Sequence, residues 1–121
     1  WINYMKEHEY NPEHTHGGQL SWVLFLKTID LTKEQKEFEG KSTPPGSLNF
    51  HYAEPQHPKW ADHTFNYNPQ ENYMWIFPAQ LRHQVMPFHT DGTRITVSGN
   101  LYFNQPGSPD EVSEKPNSIN G

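Results

Sequence analysis

Cysteine is absent from the 121 residues. That excludes disulfides, thiolate chemistry and every zinc finger built on Cys ligands. Positive charge is scarce. Nine Lys and Arg against fourteen Asp and Glu give a formal net charge of −5 with neutral histidines. Those nine cations are scattered along the chain, so no basic face exists to replace phosphate counterions, which argues against nucleic acid as a partner. No run is apolar for long enough to span a bilayer, and no segment reads as a signal peptide. A cytoplasmic location and no membrane association are therefore the expectations. The length is that of one domain.

What the chain does have is aromatics and breakers. Only 32% of residues are hydrophobic, yet 14% are aromatic, and eleven prolines and eight glycines cut the sequence into short pieces. A core of Trp, Phe and Tyr in short segments suits pleated, half-buried surfaces and predicts an all-β fold. "INYM" near the start is a candidate strand. "QLSWVLFLKTI", Gln19 to Ile29, is the strongest one; both alternating faces are mostly apolar, which predicts a strand buried on both sides. Residues 30–46 are charged and end in Pro-Pro-Gly. They read as an excursion with one helical turn capped by Asp30 or Thr32. Five further β-rich segments follow: 47–54, 63–69, 72–79, 83–88 and 93–104, parted by turn signals such as "NPQE" and "TDGT". This spacing predicts a sandwich, jelly roll or barrel over residues 1–105. The polar, Pro/Ser-rich stretch 106–121 reads as a tail. The chain opens on Trp1 rather than Met, and the expectation leaves room for N-terminal elements outside it. Exposed edge strands of small jelly rolls pair readily, so a homodimer is expected.

Eight histidines stand at 8, 14, 16, 51, 57, 63, 83 and 89. A lone histidine is ordinarily a satisfied surface residue. His14 and His16 differ, because side chains at i and i+2 of an extended segment share a face. They can present two imidazoles to one ion, and Gly17 and Gly18 leave room beside them. A third candidate ligand, His83, heads a later strand, followed by an Asp91-Gly92 turn and then Arg94. Three protein ligands on one side of Fe(II) leave open positions for a chelating keto acid and oxygen. A guanidinium fork suits the far carboxylate of such an acid, and Thr96 faces the same way as Arg94. Were residues 83–100 one plain hairpin, Arg94 would lie opposite His89, roughly 20 Å along the strand from His83. The constellation works only if the two strands enter opposite sheets.

The segments "EYNPEHTHGGQLSWVLFL" and "FPAQLRHQVMPFHTDGTRITVSGN" carry a resemblance. Over roughly residues 8–104 the chain resembles the 2-oxoglutarate/Fe(II)-dependent oxygenases found widely in marine phage and bacterial sequences, a prolyl-hydroxylase-like branch of that superfamily. The resemblance implies a double-stranded β-helix (a cupin-like jelly roll), Fe(II) and 2-oxoglutarate as cofactors, O2 as co-substrate, and hydroxylation of an unknown substrate, such as a peptidyl side chain. It implies His14 and His83 as metal ligands and Arg94 with Thr96 as the 2-oxoglutarate carboxylate site. His16 falls where the superfamily usually has Asp or Glu. Tyr10 is expected in the core or as a donor to the bound co-substrate. Two carboxylates, Glu13 and Asp62, are candidates to replace His16; Glu13 is discounted because it points away from His14. Two rival readings are a three-His cupin that uses no keto acid, and a non-catalytic β-sandwich binding through aromatics such as Trp60. Asn49 and His51 are candidates to face the barrel interior, and Trp22, Trp75 and Phe77 are candidates for the core.

Overall fold

The computed structural model describes residues 1–40, 43–52 and 64–103. His57, Trp60, Asp62, His63 and the tail 106–121 lie outside the described residues, so the readings placed on them are not addressed by the structure. Eight strands and one short helix follow in order: β1 (Ile2–Lys6), β2 (Asn11–His14), β3 (Leu20–Lys27), α1 (Thr32–Glu37), β4 (Leu48–His51), β5 (Thr64–Tyr67), β6 (Met74–Pro78), β7 (Arg82–Val85) and β8 (Thr93–Leu101). They form two four-stranded antiparallel sheets, β1-β8-β3-β6 and β2-β7-β4-β5. The architecture is the all-β jelly roll expected, and β7 and β8 do enter opposite sheets. No described helix is long and apolar enough to cross a membrane.

Each sheet turns one face inward, and the alternation of side chains decides which residues go there. From β3 these are Ser21, Val23 and Phe25; from β6, Trp75 and Phe77; from β4, Leu48 and Phe50. Phe25, Leu48, Phe50 and Phe77 form the buried cluster, with Trp75 and Tyr67 packed against it. The rings of Phe50 and Phe77 meet edge-on at 5.0 Å, and those of Tyr67 and Trp75 at 4.9 Å, arrangements that add to the burial itself.

The expectation that β3 is buried on both sides is corrected. A two-sheet sandwich covers only one face of each sheet. Leu26 on the outer face is exposed, as are Met74 and Ile76 of β6, which pair with Leu24 and Trp22. Trp22, expected in the core, lies on that outer face too. Its indole covers Gly99 of β8, where an added Cβ would sit 2.7 Å from Trp22 Nε1. Asn49 and His51 are corrected likewise. They alternate with the inward Leu48 and Phe50, so they belong to the outer face of the second sheet.

The charged excursion folds as expected into a short helix, but the expected cap is corrected: Leu31 stands at the N-cap with no side-chain cap bond, and Asp30, one residue earlier, accepts from Thr32 N through Oδ1 at 3.0 Å. From α1, Glu34 accepts from the backbone N–H groups of His89 and Thr90, each at 2.8 Å, and ties the excursion to the β7–β8 connection. Phe88 of that connection is 1% exposed and closes the end of the sandwich beside Gly46 and Arg94. Phe88→Ala should therefore cost about 3–5 kcal/mol, the range for truncating a buried aromatic, read as a shifted midpoint in urea denaturation.

Candidate metal centre

His14 closes β2 and His83 sits in β7 directly opposite it. His16 lies just past the end of β2, where its backbone N–H donates to Ala79 O at 2.8 Å. The two strands thus bring all three imidazoles to one place. One ligand atom from each lies within 4.8 Å of the others, and His16 Nε2 stands 3.0 Å from His83 Nε2. His16 and His83 are buried and His14 is half-buried.

Backbone carbonyls fix two of the three tautomers. His14 Nδ1 donates to Pro12 O at 2.6 Å, and His83 Nδ1 donates to Leu81 O at 2.9 Å. A carbonyl can only accept, so each ring keeps its hydrogen on Nδ1 and offers an Nε2 lone pair. This is the usual orientation of a metal-bound imidazole, whose second nitrogen is tied to an acceptor. His16 completes the set less comfortably. Among the described residues no polar atom pairs with its buried Nδ1. If its hydrogen is on Nδ1, two Nε2 lone pairs face each other at 3.0 Å; if it is on Nε2, the Nδ1 lone pair is stranded. A cation among the three Nε2 atoms removes the first conflict, so the donor set fits a divalent metal.

Burial, reinforced by the neighbouring imidazoles, lowers the His16 pKa from 6.5 to about 4. Burial lowers that of His83 to about 4 as well, against the opposing bond to Leu81 O. Both rings are neutral at pH 7, the form that binds metal. In the metal-free chain the consequence is a stability loss in acid. Between about pH 6.5 and about 4 the unfolded chain takes up protons that the folded chain refuses. At about 1.4 kcal/mol per pKa unit, the metal-free chain should be a few kcal/mol less stable at pH 4.5 than at pH 7.5, as read by denaturant titration at the two pH values.

The histidines open onto a cavity of about 800 Å³ between the sheets. Arg94 and Thr96, paired with Met5 and Asn3 of β1 or close to them, line its other wall. Arg94 is 5% exposed. Its Nη1 donates to Gly46 O at 2.6 Å and its Nη2 approaches Met5 Sδ at 2.9 Å, while the Phe88 ring lies 6.0 Å away. No carboxylate of the described residues forms an ion pair with it. Burial pulls its pKa down to about 10, so it carries its charge at neutral pH with no carboxylate counter-ion among the described residues. Tyr10 is not a core residue: it is 64% exposed and contributes to the cavity rim.

Sequence reasoning overlooked several members of this site. Asn3 and Met5 alternate onto the cavity face of β1, a pattern that "INYMK" contains but that cannot be read until β1 is paired with β8. Gly46 holds a φ of +73°, which favours glycine, and directs its carbonyl to Arg94. Its only sequence signal is its place after Pro44-Pro45.

No curated protein and no solved structure matches the chain. One family model does, described as "Putative 2OG-Fe(II) oxygenase", and it matches residues 1–100. That span takes in both sheets, the three histidines and Arg94, and it covers most of the 121 residues, so the chain belongs to this family of 2-oxoglutarate/Fe(II) oxygenases.

Proposed function

We propose that the chain is a 2-oxoglutarate- and Fe(II)-dependent dioxygenase, with His14, His16 and His83 as its metal ligands and Arg94 and Thr96 as its 2-oxoglutarate site. The observation that carries this reading is a buried guanidinium, without a carboxylate counter-ion among the described residues, on the same cavity as three convergent imidazoles. A buried cation of this kind is costly unless an anion arrives to pair with it.

The register supports a diacid between the two. Arg94 bonds Gly46 O, Leu48 lies two residues on and opposite Val85, and His83 lies two residues from Val85. That is roughly four residues of strand, about 13 Å along the sheet. An extended five-carbon diacid fits this gap with a metal bond at one end and a guanidinium hydrogen bond at the other. Fe(II) with bound keto acid would supply oxygen activation and C–H hydroxylation. The protein's own part is positional. Pro12 O and Leu81 O hold two imidazoles with Nε2 inward, Arg94 fixes the far carboxylate, and Phe25, Leu48 and Phe77 keep the cavity wall apolar. The substrate, which we take to be a peptidyl side chain, would enter by the rim near Tyr10 and Pro12.

His16 replaces the carboxylate usual in a two-His-one-carboxylate site. Glu13 does not supply it, since its carboxylate is engaged by His51 and Arg82. Three neutral imidazoles and a doubly charged keto acid still give a neutral Fe(II) site. The test is turnover: the Fe(II)-loaded chain should convert 2-oxoglutarate to succinate and CO2 under air, slowly without substrate. Iron binding with no 2-oxoglutarate consumption would favour the three-His cupin reading.

A further inference from the structure

The strand that carries His14 is weakly held. β2 is the edge strand of its sheet, and it pairs with β7 at only two positions, Asn11↔Val85 and His14↔His83, with an irregularity between them. A slip of one residue would turn His14 to the outer face and Glu13 into the cavity. Backbone bonds from His8 N to Phe88 O and from His16 N to Ala79 O tether the segment on either side, but a short, irregular ladder specifies register poorly between them.

On the outer face, Glu13 supplies a restraint. Its Oε2 accepts from His51 Nδ1 at 2.9 Å, and its Oε1 lies 3.7 Å from Arg82 Nη1. His51 does not belong to the neighbouring strand. It sits on β4, and β7 lies between, so the contact bridges two strand spacings, about 9.5 Å. The far end is itself fixed. The second ring nitrogen of His51 meets Asn49 Oδ1, which also accepts from Gln84 Nε2 at 3.2 Å. Asn49 is 1% exposed and donates through Nδ2 to Asn66 Oδ1 at 2.6 Å. One polar chain therefore runs across all four strands of the sheet, on the face opposite the imidazoles, and ends on the residue next to His14.

We infer that Glu13 and His51 are positioning residues that lock β2 in the register presenting His14 to the metal. The inference rests on the metal-centre reading above. Neither residue touches the metal or the co-substrate; each acts through the backbone of His14. Supporting partners of metal ligands typically contribute 10–100-fold in affinity.

The test uses the full chain and Co(II) as a spectroscopic metal. Glu13→Ala and His51→Ala should each weaken Co(II) binding about 10–100-fold, and the double variant should be no weaker than the worse single one, because both break one connection. Glu13→Gln, which keeps an acceptor for His51, should recover part of the affinity. Hydrogen exchange on the metal-free chain gives a second readout: the amides of residues 11 and 13–16 should exchange faster in Glu13→Ala while those of β3 and β8 stay protected, which separates a local register effect from unfolding. Folded variants with wild-type Co(II) affinity and unchanged exchange at residues 11 and 13–16 would overturn the inference. If wild-type binds no Co(II), the metal-centre reading fails, and faster exchange in Glu13→Ala would then still support the register lock.

Discussion

The Arg94→Met chain should bind Fe(II) or Co(II) as the wild type does and lose 2-oxoglutarate. A bidentate, desolvated guanidinium–carboxylate pair broken from one side costs about 3–5 kcal/mol, because the other charge is left without a partner. At 1.4 kcal/mol per factor of ten, that raises the 2-oxoglutarate dissociation constant on the order of 10²–10³-fold. The metal is untouched because Arg94 bonds Gly46 O and approaches Met5 Sδ, and makes no contact with the imidazoles. Arg94→Lys should recover only part of the loss. An ammonium keeps the charge but cannot serve a carboxylate and the Gly46 carbonyl with one rigid fork. Isothermal titration with 2-oxoglutarate on the Co(II)-loaded variants measures both effects. Unchanged 2-oxoglutarate affinity in Arg94→Met would move the anion elsewhere in the cavity and revive the three-His cupin.

His83→Ala should have the larger effect on the metal itself. His83 lies opposite His14 in the ladder, and its Nε2 faces His16 Nε2 at 3.0 Å, closer than any other pair of ring nitrogens given for the three. Removing an outer partner of a metal ligand already costs 10–100-fold, so removing this ring should weaken divalent metal by more than about 100-fold. The folded chain should survive. His83 is a neutral buried ring whose loss leaves a small cavity and one bond fewer to Leu81 O, a cost of about 1–3 kcal/mol. Competition with a metallochromic chelator gives the affinity, and circular dichroism confirms the fold. The acid sensitivity described above should shrink in the same variant, since one of the two depressed pKa values is gone.

The sequence carried the histidines further than the fold around them. H-x-H on an extended segment places two imidazoles on one face whatever the topology, and the structure has His14 and His16 side by side with ring centroids 4.9 Å apart. Joining them to His83 needed the pairing of β2 with β7 across some seventy residues, which no local pattern encodes. A flat ribbon would put roughly 20 Å between His83 and Arg94, so their shared cavity requires β7 and β8 to part, as they do. What local reading misjudged was facing. Trp22 and Leu26 have the composition of core residues but occupy the outer face, because only the opposite alternation of β3 meets the second sheet. Asn49 looked like a cavity residue for the same reason in reverse. It is buried, yet on the outer face, within the polar chain from Asn66 to Glu13. Which polar residue is buried follows from its partners, and those partners sit on four different strands.

Metal and keto acid are expected to meet in one cavity, at the three histidines and Arg94. The most direct measurement is an anaerobic titration of metal-free chain with Fe(II) and then 2-oxoglutarate, followed in the visible for the weak charge-transfer band of a chelated keto acid. A saturable band is expected, lost in His83→Ala for want of metal and in Arg94→Met for want of co-substrate at the same concentration. Tight Fe(II) binding with no band at saturating 2-oxoglutarate would contradict it.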